Sequence, residues 1–291
     1  MRVITCRPRT LPEHKLVAAA QKAGEINPAN RPNLTRYLAE PGFVPTHSRV
    51  AMVTKKYWGP AGVHLTVGFL DTPKQDLRKR ILLHMNAWGK TSNVHFVASQ
   101  TNPDVRISRV NSPPDDSGYW SYIGTDIRSI DDGAATMNLE DFTMKTPESE
   151  FHRVVRHETG HTMGFEHEHM RKELVHKIDP HKAIAYFLKE DGWSAAETRA
   201  QVLTPLEDVI LTTSGVADPR SIMCYQIPGE ITVDGEPIVG GLDIDKTDYA
   251  FAAKIYPKPP VAPKKPAKPK KKPKKKPKPK KKKKGKPAKS K

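Results

Sequence analysis

Two hydrophobic rhythms alternate through the first two thirds of the chain. After the Trp58-Gly59-Pro60 turn, residues 63–70 are a run of apolar and small side chains with the length and turn boundaries of a strand. Leu77, Ile81, Met85 and Trp88 then recur at intervals of four, four and three. At 3.6 residues per turn these positions share one face, so the segment after Asp71-Thr72-Pro73 is expected to be a helix with a buried stripe. Residues 93–99 and 104–110 alternate apolar and polar positions around an Asn102-Pro103 turn, which predicts two half-buried strands. Residues 134–142 read as a further short strand. Thr146-Pro147-Glu148 opens a helix carrying Phe151, Val154, Val155 and Glu158. Later helix starts fall at Asp179-Pro180, at Ser194 with Glu197 three residues on, and at Asp245 with Asp248 three residues on. Strand, helix, strand, strand and then mainly short helices and loops make an α+β pattern.

The ends change this picture more than the middle does. The 291 residues carry a net charge of +17, but residues 258–291 hold 19 lysines and no acid, so residues 1–257 are left with 17 − 19 = −2. Basicity therefore belongs to a Lys/Pro-rich tail, which lacks the apolar residues needed to offset the entropy of ordering and is expected to be disordered. Such a tail suits nonspecific contact with polyanions, whereas its lack of aromatic residues argues against base recognition. Residues 1–45, rich in Pro, Asn and Arg with one helical stretch near Leu16 to Lys22, read as a leader or a loosely attached extension. Cys6 and Cys224 are the only cysteines, too few for a disulfide framework. The first residues lack the apolar run of about 7–15 residues of a secretory signal, which predicts a cytoplasmic protein, and no stretch reaches the length of a membrane span.

The chemistry lies between His157 and Glu168. His157-Glu158-Thr159-Gly160-His161 is H-E-x-x-H, and Gly164 and His167 extend it to H-E-x-x-H-x-x-G-x-x-H. Histidines four apart project from one helical face and can reach a single ion. Gly164, free to adopt a left-handed conformation, can end the helix and turn His167 back to join them. Three protein ligands leave one position open, the mark of a catalytic rather than a structural zinc site, so one Zn2+ per chain and a hydrolytic reaction are expected. Glu158 lies beside the ligands without being one, as a general base must. The added glycine and third histidine make the match far more specific than H-E-x-x-H alone.

The extended pattern is that of the metzincins, and two more segments resemble the astacin-like branch. Ser221-Ile222-Met223-Cys224-Tyr225 resembles the turn that sets a methionine beneath the zinc. By that resemblance Met223 is the apolar floor of the site, and Tyr225 swings from zinc to stabilise the oxyanion. Gly118-Tyr119-Trp120-Ser121-Tyr122-Ile123-Gly124 resembles the family's stretch before its edge strand, which places the substrate-binding edge at Ala135, Thr136, Met137, Asn138 and Leu139. Glu168 falls where the family's acid meets a newly made amino terminus. The resemblance runs roughly from Lys55 to Pro257. It implies a catalytic domain over 46–257, with an upper subdomain to about 168 built on a twisted mixed sheet, a mainly helical and loop lower subdomain over 169–257, and a zinc cleft between them. A peptide or protein is the implied substrate, and zinc-dependent endopeptidase the implied activity. Against the family's habit, neither export signal nor disulfide pairs are visible. Cys6 is either an incidental thiol, the favoured reading, or a thiolate reaching the zinc from the leader.

Overall fold

The computed structural model describes Cys6, residues 9–33, Thr46, and residues 54–112, 117–206 and 217–260. The expectations for the tail beyond Pro260 and for most of residues 34–53 lie outside the described residues.

Helix α1 (Glu13–Ile26) precedes a five-stranded sheet made of β1 (Val63–Phe69), β2 (Val94–Ala98), β3 (Val105–Ser108), β4 (Tyr119–Ser121) and β5 (Met137–Leu139). The strand order is β2-β1-β3-β5-β4; β4 is antiparallel to β5 and every other pairing is parallel. Along β1, Val63, Leu65 and Val67 are buried while His64 is exposed, the period of two expected of a strand with one face on the core. Asp104 locks the start of β3 to β1 by accepting hydrogen bonds from Thr66 N (2.7 Å) and Thr66 Oγ1 (2.8 Å). Gly68 is required where the turn before β3 crosses β1, because a Cβ there would lie 2.4 Å from Pro103 Cγ.

Helix α2 (Gln75–Met85) carries the predicted stripe, and Trp88 follows in a 3-10 turn; Leu77, Ile81, Met85 and Trp88 are all buried. Asn86 pins the end of α2 to β2, donating to Leu82 O and Phe96 O and accepting from Phe96 N, each at 2.9 Å. Helix α3 comprises an α-helical turn (Glu148–Glu150), a π-helical turn (Phe151–Val155) and an α-helical stretch (Arg156–Thr162). The periodicity of Phe151, Val154 and Val155 announces the helix but not the π turn, a feature frequent at functional sites. Trp88 Nε1 donates to Arg156 O at 2.9 Å, tying α3 to the sheet's helical cover.

Two expectations need correction. Met137–Leu139, within the stretch assigned to the edge, pairs on both sides, with β3 and with β4. The edge next to the site is β4, inside the segment read as merely preceding it; three residues are too few for alternation to reveal a strand. The leader, moreover, is fastened over its described part. Its helix is twice as long as the apolar stretch suggests, and Asn30, fully buried, donates to Tyr57 O (2.8 Å) and Ala23 O (3.0 Å) while accepting from Tyr57 N (3.0 Å). Lys15 pairs with Asp131 at 2.7 Å.

Beyond α3 a second apolar cluster gathers Leu174, Ile178, Phe187, Trp193, Val202, Ile227, Ile231 and Ile238. The helices beyond α3 start where capping chemistry predicts. Asp179 caps α4 (Pro180–Asp191), Ser194 and Glu197 form a capping box on the turn Ala195–Thr198, and Asp245 and Asp248 form one on α5 (Lys246–Ile255). No helix among the described residues is long and apolar enough to cross a membrane.

Candidate metal centre

His157 and His161 stand one turn apart on α3, which ends at Gly164 with φ of 98°. A side chain at Gly164 would be strained by that conformation and would put its Cβ 2.9 Å from Lys56 O. Gly164 N donates to His161 O (2.8 Å) and Phe165 N to Gly160 O (3.0 Å), closing the helix and reversing the chain. His167 Nε2 thereby arrives 3.2 Å from His157 Nε2 and 3.0 Å from His161 Nε2. His157 Nδ1 faces Ile222 O at 2.6 Å and His161 Nδ1 faces Phe165 O at 2.7 Å. A carbonyl can only accept, so both Nδ1 atoms carry protons and both Nε2 atoms present bare lone pairs. Burial holds His157 down to about 4 and His161 and His167 well below the ordinary imidazole range, so all three are neutral ligands near neutral pH.

The bare Nε2 lone pairs of His157 and His161 converge with Nε2 of His167, a donor set that suits a cation. A tetrahedral zinc with bonds of about 2.0–2.1 Å separates its nitrogen ligands by about 3.3–3.4 Å. The observed separations of 3.0 and 3.2 Å to His167 fit that ion with little adjustment.

The surroundings fix this arrangement. Met223 packs under α3 so closely that a Cβ on Gly160 would lie 2.4 Å from its Sδ. The turn that carries Met223 is held by Asp248, which accepts from Ser221 Oγ (2.6 Å) and Ile222 N (2.9 Å). Ile222 in turn offers its carbonyl to His157, so a carboxylate at the start of α5 helps to choose the tautomer of a histidine on α3. Tyr225 is buried, its ring stacked on His169 at 4.0 Å between centroids and its hydroxyl donating to Cys6 O. Glu158, 1% exposed, is raised by burial to about 8 and accepts from Cys6 Sγ at 3.3 Å. Glu168 accepts from Asp218 N (3.0 Å) and pairs with Arg171. A cavity of about 260 Å³ opens beside His157 and Glu158, bordered by Tyr119, Glu150, Arg153 and Tyr225.

A family model, that of the astacin peptidases (peptidase family M12, subfamily A), matches residues 52–184, a span that includes β1 to β5 and the three histidines. Over that span the chain is similar to the astacin zinc metallopeptidases. One structure of myroilysin is 27% identical, with a TM-score of 0.64 over 70% of this chain and 97% of that one. A second myroilysin structure is 24% identical, with a TM-score of 0.53 over 87% of this chain and 100% of that one. A hatching-enzyme zinc protease from Oryzias latipes is 17% identical, with a TM-score of 0.45 over 68% of this chain and 92% of that one. The comparison with curated proteins gives no match. As an astacin-like enzyme the chain is a metalloendopeptidase using one zinc, and His157, His161 and His167 form a site able to bind it.

The structure thus brings together His157, His161, His167, Glu158, Met223 and Tyr225, with Gly164 making the turn that permits it. Gly160, His169 and Asp248 support the astacin-like site without having been singled out for it. A glycine inside the motif's variable positions carried a signal. Nothing in the sequence pointed to His169 or to the second bond set of Asp248.

Proposed function

We propose that His157, His161 and His167 hold the zinc through Nε2 and that Glu158 is the general base of peptide-bond hydrolysis. The observation that carries this reading is the convergence of three Nε2 atoms, two of them on rings whose opposite nitrogens are committed to backbone carbonyls. When bound, zinc supplies Lewis acidity, lowering the pKa of water towards about 7 and polarising the scissile carbonyl. Glu158 takes a proton from the attacking water and returns it to the departing amine. Tyr225, once its hydroxyl leaves Cys6 O, donates to the developing oxyanion. Substrate backbone adds to β4, the strand at the sheet edge, with Met223 as the floor of the metal site.

The test is cleavage of a peptide library in the Cys6→Ala background, which removes the thiol from Glu158. Chelator-sensitive cleavage is expected, and Glu158→Gln added to this background should keep one zinc while turnover falls roughly 100- to 10,000-fold. Turnover at the parent rate would require another base.

A second reading, attachment to polyanions through residues 258–291, is favoured by the segregation of 19 lysines into that segment. It is compatible with peptidase activity and concerns where the enzyme acts.

A further inference from the structure

His84, at the end of α2, and His152, in the π turn of α3, meet at the carboxylate of Glu148. Glu148 Oε1 lies 3.1 Å from His84 Nε2 and 3.5 Å from His152 Nε2. One donor atom from each of the three residues lies within 4.8 Å of the other two. Oxygen and nitrogen ligands held by one tetrahedral zinc at about 2.0–2.2 Å stand about 3.3–3.6 Å apart, so both measured separations are close to those of a shared ion. Glu148 and His152 are four residues apart on one helical face, the spacing that lets two side chains reach one metal. His84 is 2% exposed, and its Nε2 is buried without a hydrogen-bond partner. A buried polar atom left in that state is costly and marks a place where a partner fits.

The neighbours orient these groups. Glu148 Oε2 accepts from Arg80 Nε (3.1 Å) and Arg80 Nη2, which leaves Oε1 turned to the imidazoles. His152 Nδ1 donates to Asp243 Oδ2 at 2.8 Å, the carboxylate–histidine pairing that fixes the ring of a metal ligand. His152 Nε2 faces Arg156 Nη2 at 3.4 Å, and since a guanidinium only donates, this Nε2 presents a bare lone pair. Arg156 Nε also reaches His84 Nδ1 at 3.4 Å, while Arg156 Nη1 donates to Asp243. Arg156 is thus a resident cation, joined to the two rings by long bonds and to Asp243 by its firm one. None of the three converging side chains borders the cavity beside Glu158.

We propose that His84 Nε2, Glu148 Oε1 and His152 Nε2 form a second site, for a divalent transition-metal ion of the zinc type, that braces α2 against the π turn of α3. Water completes the shell, since the Glu148 side chain is 58% exposed. On binding, the His84 proton moves from Nε2 to Nδ1, and Arg156 turns its guanidinium from both rings while keeping Asp243. The position left to water faces solvent rather than the metal-centre cavity, so the ion is exchangeable and acts on stability instead of on the reaction. The brace sits just ahead of His157 on the same helix.

The test uses the full-length protein carrying its one zinc after gel filtration, with further Zn2+ added by equilibrium dialysis. A second equivalent should bind to the wild type and be lost from Glu148→Gln and from His152→Ala. Asp243→Asn should weaken it about 10- to 100-fold, as for other groups that orient a metal ligand. Arg156→Met should bind it more tightly, because a competing cation is removed. His161→Ala, which disturbs the three-histidine centre, should leave this uptake unchanged and so separates the two sites. Saturating Zn2+ should raise the urea midpoint of the wild type and not that of His152→Ala, since an ion that binds only the folded chain stabilises it. Binding of only one equivalent to the wild type, or a second equivalent that persists in both Glu148→Gln and His152→Ala, overturns the site. A second equivalent lost from both variants but without any shift of the wild-type midpoint overturns the bracing role.

Discussion

Gly160→Ala puts a single methyl group between the metal-binding helix and its methionine floor. The new Cβ would lie 2.4 Å from Met223 Sδ and 3.1 Å from Met223 Cε, where ordinary contact begins near about 3.5 Å. Met223 can yield only by rotating its side chain within a buried site. It is 4% exposed, its N–H donates to Ser221 Oγ at 3.0 Å, and its carbonyl accepts from Glu168 N at 2.8 Å. Overpacking of this kind costs about 1–3 kcal/mol, while alanine in place of glycine inside a helix contributes about 1 kcal/mol of stability. The net loss should be about 0–2 kcal/mol. In a Met223→Ala background, itself about 2–5 kcal/mol less stable, the obstruction is gone and Gly160→Ala should stabilise by about 1 kcal/mol. The two changes are therefore coupled by about 1–3 kcal/mol, measurable as a double-mutant cycle from urea titrations. The metal-free protein should be used, so that zinc binding does not enter the comparison. Equal effects of Gly160→Ala in both backgrounds, within about 0.5 kcal/mol, would show that Met223 does not press on the helix at Gly160.

Tyr225→Phe in the Cys6→Ala background should keep zinc and KM while kcat falls roughly 10- to 1,000-fold, as for the loss of one oxyanion donor; a rise in KM at unchanged kcat would make Tyr225 a substrate-binding residue instead. Burial lowers the pKa of His84, so as pH falls through about 6.5 the unfolded chain takes up a proton before the folded one does, and stability present above that pH is lost. His84→Asn should narrow the difference in denaturation midpoint between about pH 7.5 and about pH 5.5; an unchanged difference would assign the acid sensitivity elsewhere. Removing residues 261–291 should leave small-peptide cleavage intact and abolish the steeply salt-dependent binding to an anionic resin expected of the whole chain; retained binding would locate the contact on the catalytic domain.

Legibility in the sequence followed the range of the forces involved. Residues 63–70, the Leu77-Ile81-Met85-Trp88 stripe and the three capped helix starts were readable because strand alternation, helical periodicity and capping are local. The metal triad was readable because a helix converts a spacing of four into adjacency, and because Gly164 is the residue type a reversal demands. The position of β4 was not, since an edge is a property of the assembled sheet and three residues carry no period. Nor was the place of Cys6, whose isolated thiol gives no spacing to interpret, or of the leader helix, whose contacts are made with residues more than a hundred positions away.

The dependence of His157 on Asp248 also orders events in time. During synthesis the three histidines leave the ribosome well before the start of α5, and until Asp248 follows, its bonds to Ser221 and Ile222 are missing from the turn that offers His157 its carbonyl. A nascent or truncated chain ending before that helix possesses every histidine ligand and lacks the lock that aims one of them. Competence of the hydrolytic centre is thereby tied to completion of the domain, so that an unfinished chain is poorly equipped to cut its neighbours.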